Sequence, residues 1–179
     1  MVPTARERQN RHMTDFEAAL ADQLSRNAEL AKQRVQAEEE MDQAKLAREE
    51  ADRQEAARQQ ELRNVRHAEL AEHLGRVAAQ LKAASPETFI VRSGWTASGE
   101  EYLTKISTRQ TTPARTLHIE VDRDDDAVLA RWSSDVGSPV EMWRLLEVTP
   151  EMLTQLVLQA ADEPYWRTAA APPPFPGSV

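Results

Sequence analysis

The sequence predicts an α+β chain: a long N-terminal helix that forms a coiled coil, followed by a small antiparallel β-meander of about five strands packed with one C-terminal helix. Three observations carry this. Every proline lies at position 3 or from position 86 onward, all four tryptophans (Trp95, Trp132, Trp143, Trp166) follow residue 94, and apolar spacing changes at Pro86 from helical to alternating. The expected segments are a disordered N-terminus at 1–13, the long helix at 14–84, a sheet-plus-helix domain at 85–163 and a proline-rich disordered tail at 164–179.

The helix opens at Thr14-Asp15-Phe16-Glu17, which has the Ser/Thr-x-x-Glu form of a capping box. It stops at Ala84-Ser85-Pro86, where the proline ring disfavours helical geometry at Ser85 and removes an amide donor. Between these marks there is no proline and a single glycine, Gly75; the bulk is Ala, Glu, Gln, Arg, Leu and Lys, which lose little rotamer freedom in a helix. Asp22–Arg26, Glu49–Arg53 and Glu72–Arg76 stand four apart with the acid first, worth about 0.3 kcal/mol each. About 70 residues at 1.5 Å per residue give a rod of roughly 105 Å, too long to lie on a domain of about 80 residues. Most of it must therefore face water or another helix.

Met13, Leu24, Val35, Leu46 and Ala57 recur every eleven residues, with Leu20 and Ala31 beside them. This spacing gives a narrow stripe on a straight or slightly right-handed coil. Further on, Leu70, Leu74, Val77 and Leu81 have the 4-3-4 spacing of a heptad seam. The expected oligomer seam is thus Leu20, Leu24, Ala31, Val35, Leu46, Leu70, Leu74, Val77 and Leu81. On that reading, polar residues at 74 and 81 lower the oligomeric state and leave the β domain folded. A lone charge-stabilised helix serving as a spacer is the alternative.

Strands are expected at Phe89–Arg92, Glu101–Thr108, Thr116–Asp122, Ala127–Ser133 and Val140–Val148, separated by Ser, Gly, Pro and Asp clusters. Such short connections favour an antiparallel meander. Thr149-Pro150-Glu151 opens a helix with a capping side chain and proline at the first helical position; Met152, Leu153, Leu156, Val157 and Ala160 form its apolar stripe. Val140–Val148 is apolar on both faces, so Trp143 and Leu145 need a cover: a second copy, the end of the long helix, a partner protein, or a sheet curled enough to enclose both sides. They form the candidate partner surface.

Chemistry has little support. Cysteine is absent, which excludes disulfides, thiolate nucleophiles and cysteine zinc sites. Asp122, Asp124 and Asp126 match alternate positions of a calcium loop, but Ala127 replaces its glycine and Ser133 its bidentate glutamate, so a solvated hairpin tip is expected. Glu69 and His73, four apart, have the spacing of two ligands on one helix face, but His67 and His73, six apart, point in different directions, so an ion would require groups from another chain. Ser133 or Ser134 with Asp135 and His118 is the one combination suited to nucleophilic catalysis, without a glycine elbow. No phosphate-binding glycine loop occurs. No catalytic, cofactor or metal residue is assigned.

The net charge of −8 opposes attraction to phosphate backbones; residues 85–179 hold eight Lys/Arg against fourteen Asp/Glu. Arg6, Arg8, Arg11 and His12, interrupted by Glu7, read as a solubilising end. With no apolar run long enough to cross a bilayer, a cytoplasmic protein is expected. Together these features suggest a non-enzymatic, homo-oligomeric scaffold or adaptor whose β domain binds a protein partner. A nucleic-acid-associated regulator, dimerised by the helix and binding through the basic N-terminus or an outer sheet face, is the alternative, with acidity against it.

Overall fold

The structure, a computed structural model, describes the backbone of residues 5–177 and side chains from Thr14 to Gly177. The side chains of Arg6, Arg8, Arg11 and His12, and residues 1–4 of the N-terminus expected to be disordered, lie outside what is described, while residues 5–13 are helical instead of disordered. Helix α1 spans Ala5–Ala84, five strands follow as β1 (Phe89–Trp95), β2 (Glu101–Thr108), β3 (Arg115–Asp122), β4 (Ala127–Ser134) and β5 (Val140–Arg144), and helices α2 (Pro150–Ala161) and α3 (Glu163–Thr168) end the chain. The fold is α+β. By contact the chain divides into two units, Met1–Ala56 and Ala57–Val179.

In the first unit the helix begins nine residues ahead of the expected start, so Thr14 lies inside it and its capping-box role is overturned. Every residue from 14 to 56 is exposed. Local pairs hold this surface: Gln23 donates to Asn27, Gln54 to Glu50, and Arg53 pairs with Glu50 at 3.1 Å instead of with the carboxylate of Glu49.

The second unit is a meander in the order β1-β2-β3-β4-β5, antiparallel throughout. Alternation assigns the faces. Leu117, Ile119 and Val121 of β3 are buried with Ile106 of β2 and Val128, Ala130 and Trp132 of β4, while Thr116, His118 and Glu120 point the other way. The apolar face is covered by three helical segments: Leu70, Leu74 and Ala78 from the last turns of α1, Leu153, Leu156, Val157 and Ala160 from α2, and Trp166 from α3. Thr149 caps α2, its hydroxyl accepting from the Met152 amide at 3.4 Å, with Pro150 at the first helical position as the sequence predicts.

Two expectations for this unit are corrected. Strand β5 ends at Arg144, and Leu145–Glu147 form a single 3₁₀ turn in which Glu147 accepts from the Arg144 amide at 3.2 Å. The turn breaks alternation, so Leu145 does not share a strand face with Trp143. The tail is not loose either: Asp162 caps α3 through the Tyr165 amide, and the segment after it runs back over the domain, with Gln159 donating to Pro174 O at 2.8 Å and Phe175 buried. Five prolines among residues 164–176 made this stretch look unfoldable, yet proline lowers the chain entropy lost on ordering, and two aromatic anchors, Trp166 and Phe175, supply the burial.

Candidate functional site

The expected oligomer seam separates into two parts with opposite fates. Leu70 and Leu74 are 0 % exposed in the core of the sheet domain, and Val77 and Leu81 pack against that core. These four residues bind the helix end to its own domain and are not a face for a second helix, which corrects the seam over residues 70–81. Their spacing is that of any helix laid on an apolar surface, and the sequence alone does not say whether the surface is another helix or a sheet. Arg66 donates to Val148 O at 2.7 Å and His73 Nε2 lies 2.7 Å from Thr154 Oγ1, fixing α1 to the end of the sheet and to α2.

The N-terminal half of the seam is open. Leu20, Leu24, Val35 and Leu46 are 45, 58, 53 and 62 % exposed, and Ala31 is exposed beside them. Leu30 and Met41, also eleven apart, form a second exposed row that the sequence reading missed because it followed only one stripe.

The partner surface proposed for Trp143 and Leu145 is corrected as well. Leu145 is fully buried. Trp143, opposite Val128 on the apolar side of the sheet, is covered by Phe175, whose ring meets it edge-on at 6.0 Å. The cover is the chain's own C-terminal segment, which none of the four anticipated covers included.

The helical segments of this unit pack on the apolar side of the sheet, and the other side carries polar and charged rows. Register aligns Arg92 with Lys105, Lys105 with His118, and His118 with Arg131, in one row across β1 to β4. Arg92, Lys105 and Arg131 are exposed and His118 is half-buried. A neighbouring row aligns Ile90, Ser107, Thr116 and Ser133, with Thr116 donating to Ser107 Oγ at 3.0 Å. The row on the other flank aligns Leu103, Glu120, Leu129 and Met142. Composition gave no sign of this arrangement, because it exists only once the strand register is known.

One end of the sheet is acidic. Carboxylate oxygens of Glu101, Glu120 and Asp122 all lie within 4.8 Å of one another, the one such group of possible metal ligands among the described residues. Desolvation raises the Glu101 carboxyl above its ordinary range, and Glu120, Asp122, Asp125 and Glu100 add repulsion in the same direction. In the adjoining hairpin Asp122 Oδ1 accepts from the Asp124 and Asp125 amides, so this carboxylate shapes the turn, and Asp126 takes a left-handed conformation with φ 51°.

The remaining candidates are occupied by structural roles. Asp135 Oδ2 accepts from the Ala114 amide at 2.8 Å, Ser134 Oγ donates to Gly137 O at 2.7 Å, and His118 Nε2 faces Glu120 at 3.7 Å, so each of these three side chains is engaged with a group outside the expected combination. His67 is buried against Trp95 at 5.3 Å between ring centroids, and Glu69 pairs with Arg66 at 3.2 Å. No helix among the described residues is both long and apolar enough to cross a membrane.

Comparison of the chain with protein-family models, with curated proteins and with solved structures found no match.

Proposed function

We propose that this protein is a cytoplasmic, homo-oligomeric scaffold or adaptor, assembled through a coiled coil of its N-terminal helix, with the small β domain recognising a protein partner. The observation that carries the reading is the apolar stripe through Leu20, Leu24, Ala31, Val35 and Leu46, all of them exposed. Burying a leucine or valine side chain is worth about 1.5–3 kcal/mol. The same stripe on each of two chains thus reaches the association cost of about 4–15 kcal/mol. The β domain needs no second copy to complete its core, since α1, α2, α3 and the C-terminal segment close its apolar face. That leaves the uncovered sheet face free for recognition.

Multi-angle light scattering of the full chain tests the proposal. An oligomer that dissociates when Leu24 and Val35 are replaced by lysine supports it. A monomer at high protein concentration removes it.

A further inference from the structure

The open sheet face gathers its cations in a line. Arg92, Lys105, His118 and Arg131 are successive cross-strand neighbours, and three strand spacings of about 4.8 Å make the row roughly 14 Å long. Like charges placed opposite one another destabilise a sheet. Elsewhere in this domain Arg115 and Arg167 pair with Glu163, and Arg123 with Asp124, while the exposed Arg109 and Arg144 stand singly, outside the row. Among the described residues no carboxylate pairs with Arg92, Lys105 or Arg131, although residues 85–179 hold fourteen acids to eight Lys/Arg. The one carboxylate against the row is Glu120, 3.7 Å from His118.

We propose that this row is a docking site for an acidic, partly apolar segment of a partner protein, whose carboxylates lie along Arg92, Lys105, His118 and Arg131. The inference rests on the adaptor reading and names the chemistry of its partner. Charge complementarity selects an anion, and the shape of the site selects a linear one, because the row is open along its length and a single small oxyanion meets only adjacent members. The hydroxyls of Ser107 and Ser133 stand along one flank as donors to carboxylate oxygens, with Thr116 between them donating to Ser107 Oγ. Along the other flank Leu103, Leu129 and the largely exposed Met142 offer apolar area, and Val140 extends it beside Arg131. Carboxylates interspersed with apolar side chains match both flanks.

A nucleic acid matches less well. Among the described strand residues no Phe, Tyr or Trp side chain projects from this face to stack a base, and its one aromatic ring, His118, is half-buried. A phosphate chain running past the row also meets Glu101, Glu120 and Asp122 at the acidic end. A short peptide lying along the row meets only Glu120 of these three, which His118 faces at 3.7 Å.

Fluorescence anisotropy with the full chain and a labelled glutamate–leucine peptide at low ionic strength tests the proposal. Expected is salt-sensitive binding, weakened about tenfold by Lys105→Glu with Arg131→Glu. The exposed control Arg109→Glu leaves binding unchanged. No binding, or equal binding by the double variant with its melting transition intact, overturns the proposal. Tighter binding of a labelled DNA duplex or single-stranded RNA overturns it in favour of nucleic acid, and displacement of the peptide by inorganic phosphate at equal charge overturns it in favour of a small anion. Light scattering on the same samples separates the two levels. An oligomer that ignores the peptide sinks the docking site alone, whereas a monomer sinks the adaptor reading.

Discussion

Phe175 meets Trp143 edge-on with ring centroids 6.0 Å apart, joining the end of the chain to the last strand of the sheet. The contact covers the apolar face at β5, and Gln159 holds the segment by donating to Pro174 O. Replacing Phe175 by alanine is therefore expected to cost about 3 kcal/mol, the low end for truncating a buried phenylalanine, because Phe175 lies at the rim of the core. Urea unfolding followed by tryptophan fluorescence measures it, with native emission shifted to the red as Trp143 gains water. An unchanged midpoint contradicts a structural role for the C-terminal segment.

The two halves of the helix stripe are expected to respond in opposite ways to a polar side chain. Leu74→Lys buries a charge in the domain core and is expected to unfold the domain, costing more than about 4 kcal/mol. Leu24→Lys with Val35→Lys leaves the domain's unfolding transition in place and reduces the particle mass. Circular dichroism and light scattering on both variants decide the matter. Loss of mass without unfolding in Leu74→Lys restores the heptad seam.

Local signals made most of the elements legible. Pro86 and Thr149-Pro150 place an end of α1 and the start of α2, and alternation in Thr116–Asp122 assigns the two sheet faces. What failed depended on non-local packing. Leu70, Leu74, Val77 and Leu81 have the same spacing whether they meet a helix or a sheet, and the last strand was read through Leu145–Glu147 because a 3₁₀ turn of Leu-Leu-Glu carries no breaker residue. The proline-rich tail was misread from composition, although Trp166 and Phe175 were visible as anchors. The cationic row could not be read at all, since its members are thirteen residues apart in sequence and meet only through register.

Gly75 is the single glycine of α1, and a Cβ there would stand 2.5 Å from Tyr102 Oη and 3.4 Å from Cζ. Alanine in a helix interior normally gains about 1 kcal/mol over glycine. Here the gain is expected to be cancelled by displacement of Tyr102. In a Tyr102→Phe background the hydroxyl is gone and the gain returns, giving a coupling of about 1 kcal/mol in a double-mutant cycle. Urea unfolding of the four proteins measures it, and strictly additive effects show that the close approach is not felt.

Arg115 is almost wholly buried, donating through Nε to Ala160 O and through Nη2 to Glu163 at 2.9 Å each, with its guanidinium 5.2 Å from the Trp166 ring centre. The hydrogen bond from Arg115 holds the Glu163 carboxyl below its ordinary value of 4.5, against the opposing effect of desolvation. A depressed carboxylate pKa stabilises the fold fully above the unfolded value and loses that contribution as pH falls through the folded one. Glu163→Gln keeps an acceptor but removes the charge, leaving Arg115 buried beside a neutral group, and is expected to cost about 1–3 kcal/mol at neutral pH. The deficit relative to wild type shrinks as pH falls below 4.5 and disappears once Glu163 is protonated in the native protein. Glu101, whose carboxyl is raised, changes stability in the opposite sense but equally in both proteins, so it drops out of the difference. Thermal melts of the pair across acidic pH measure this, and a deficit that stays constant to the lowest pH shows that the ion pair is not its source.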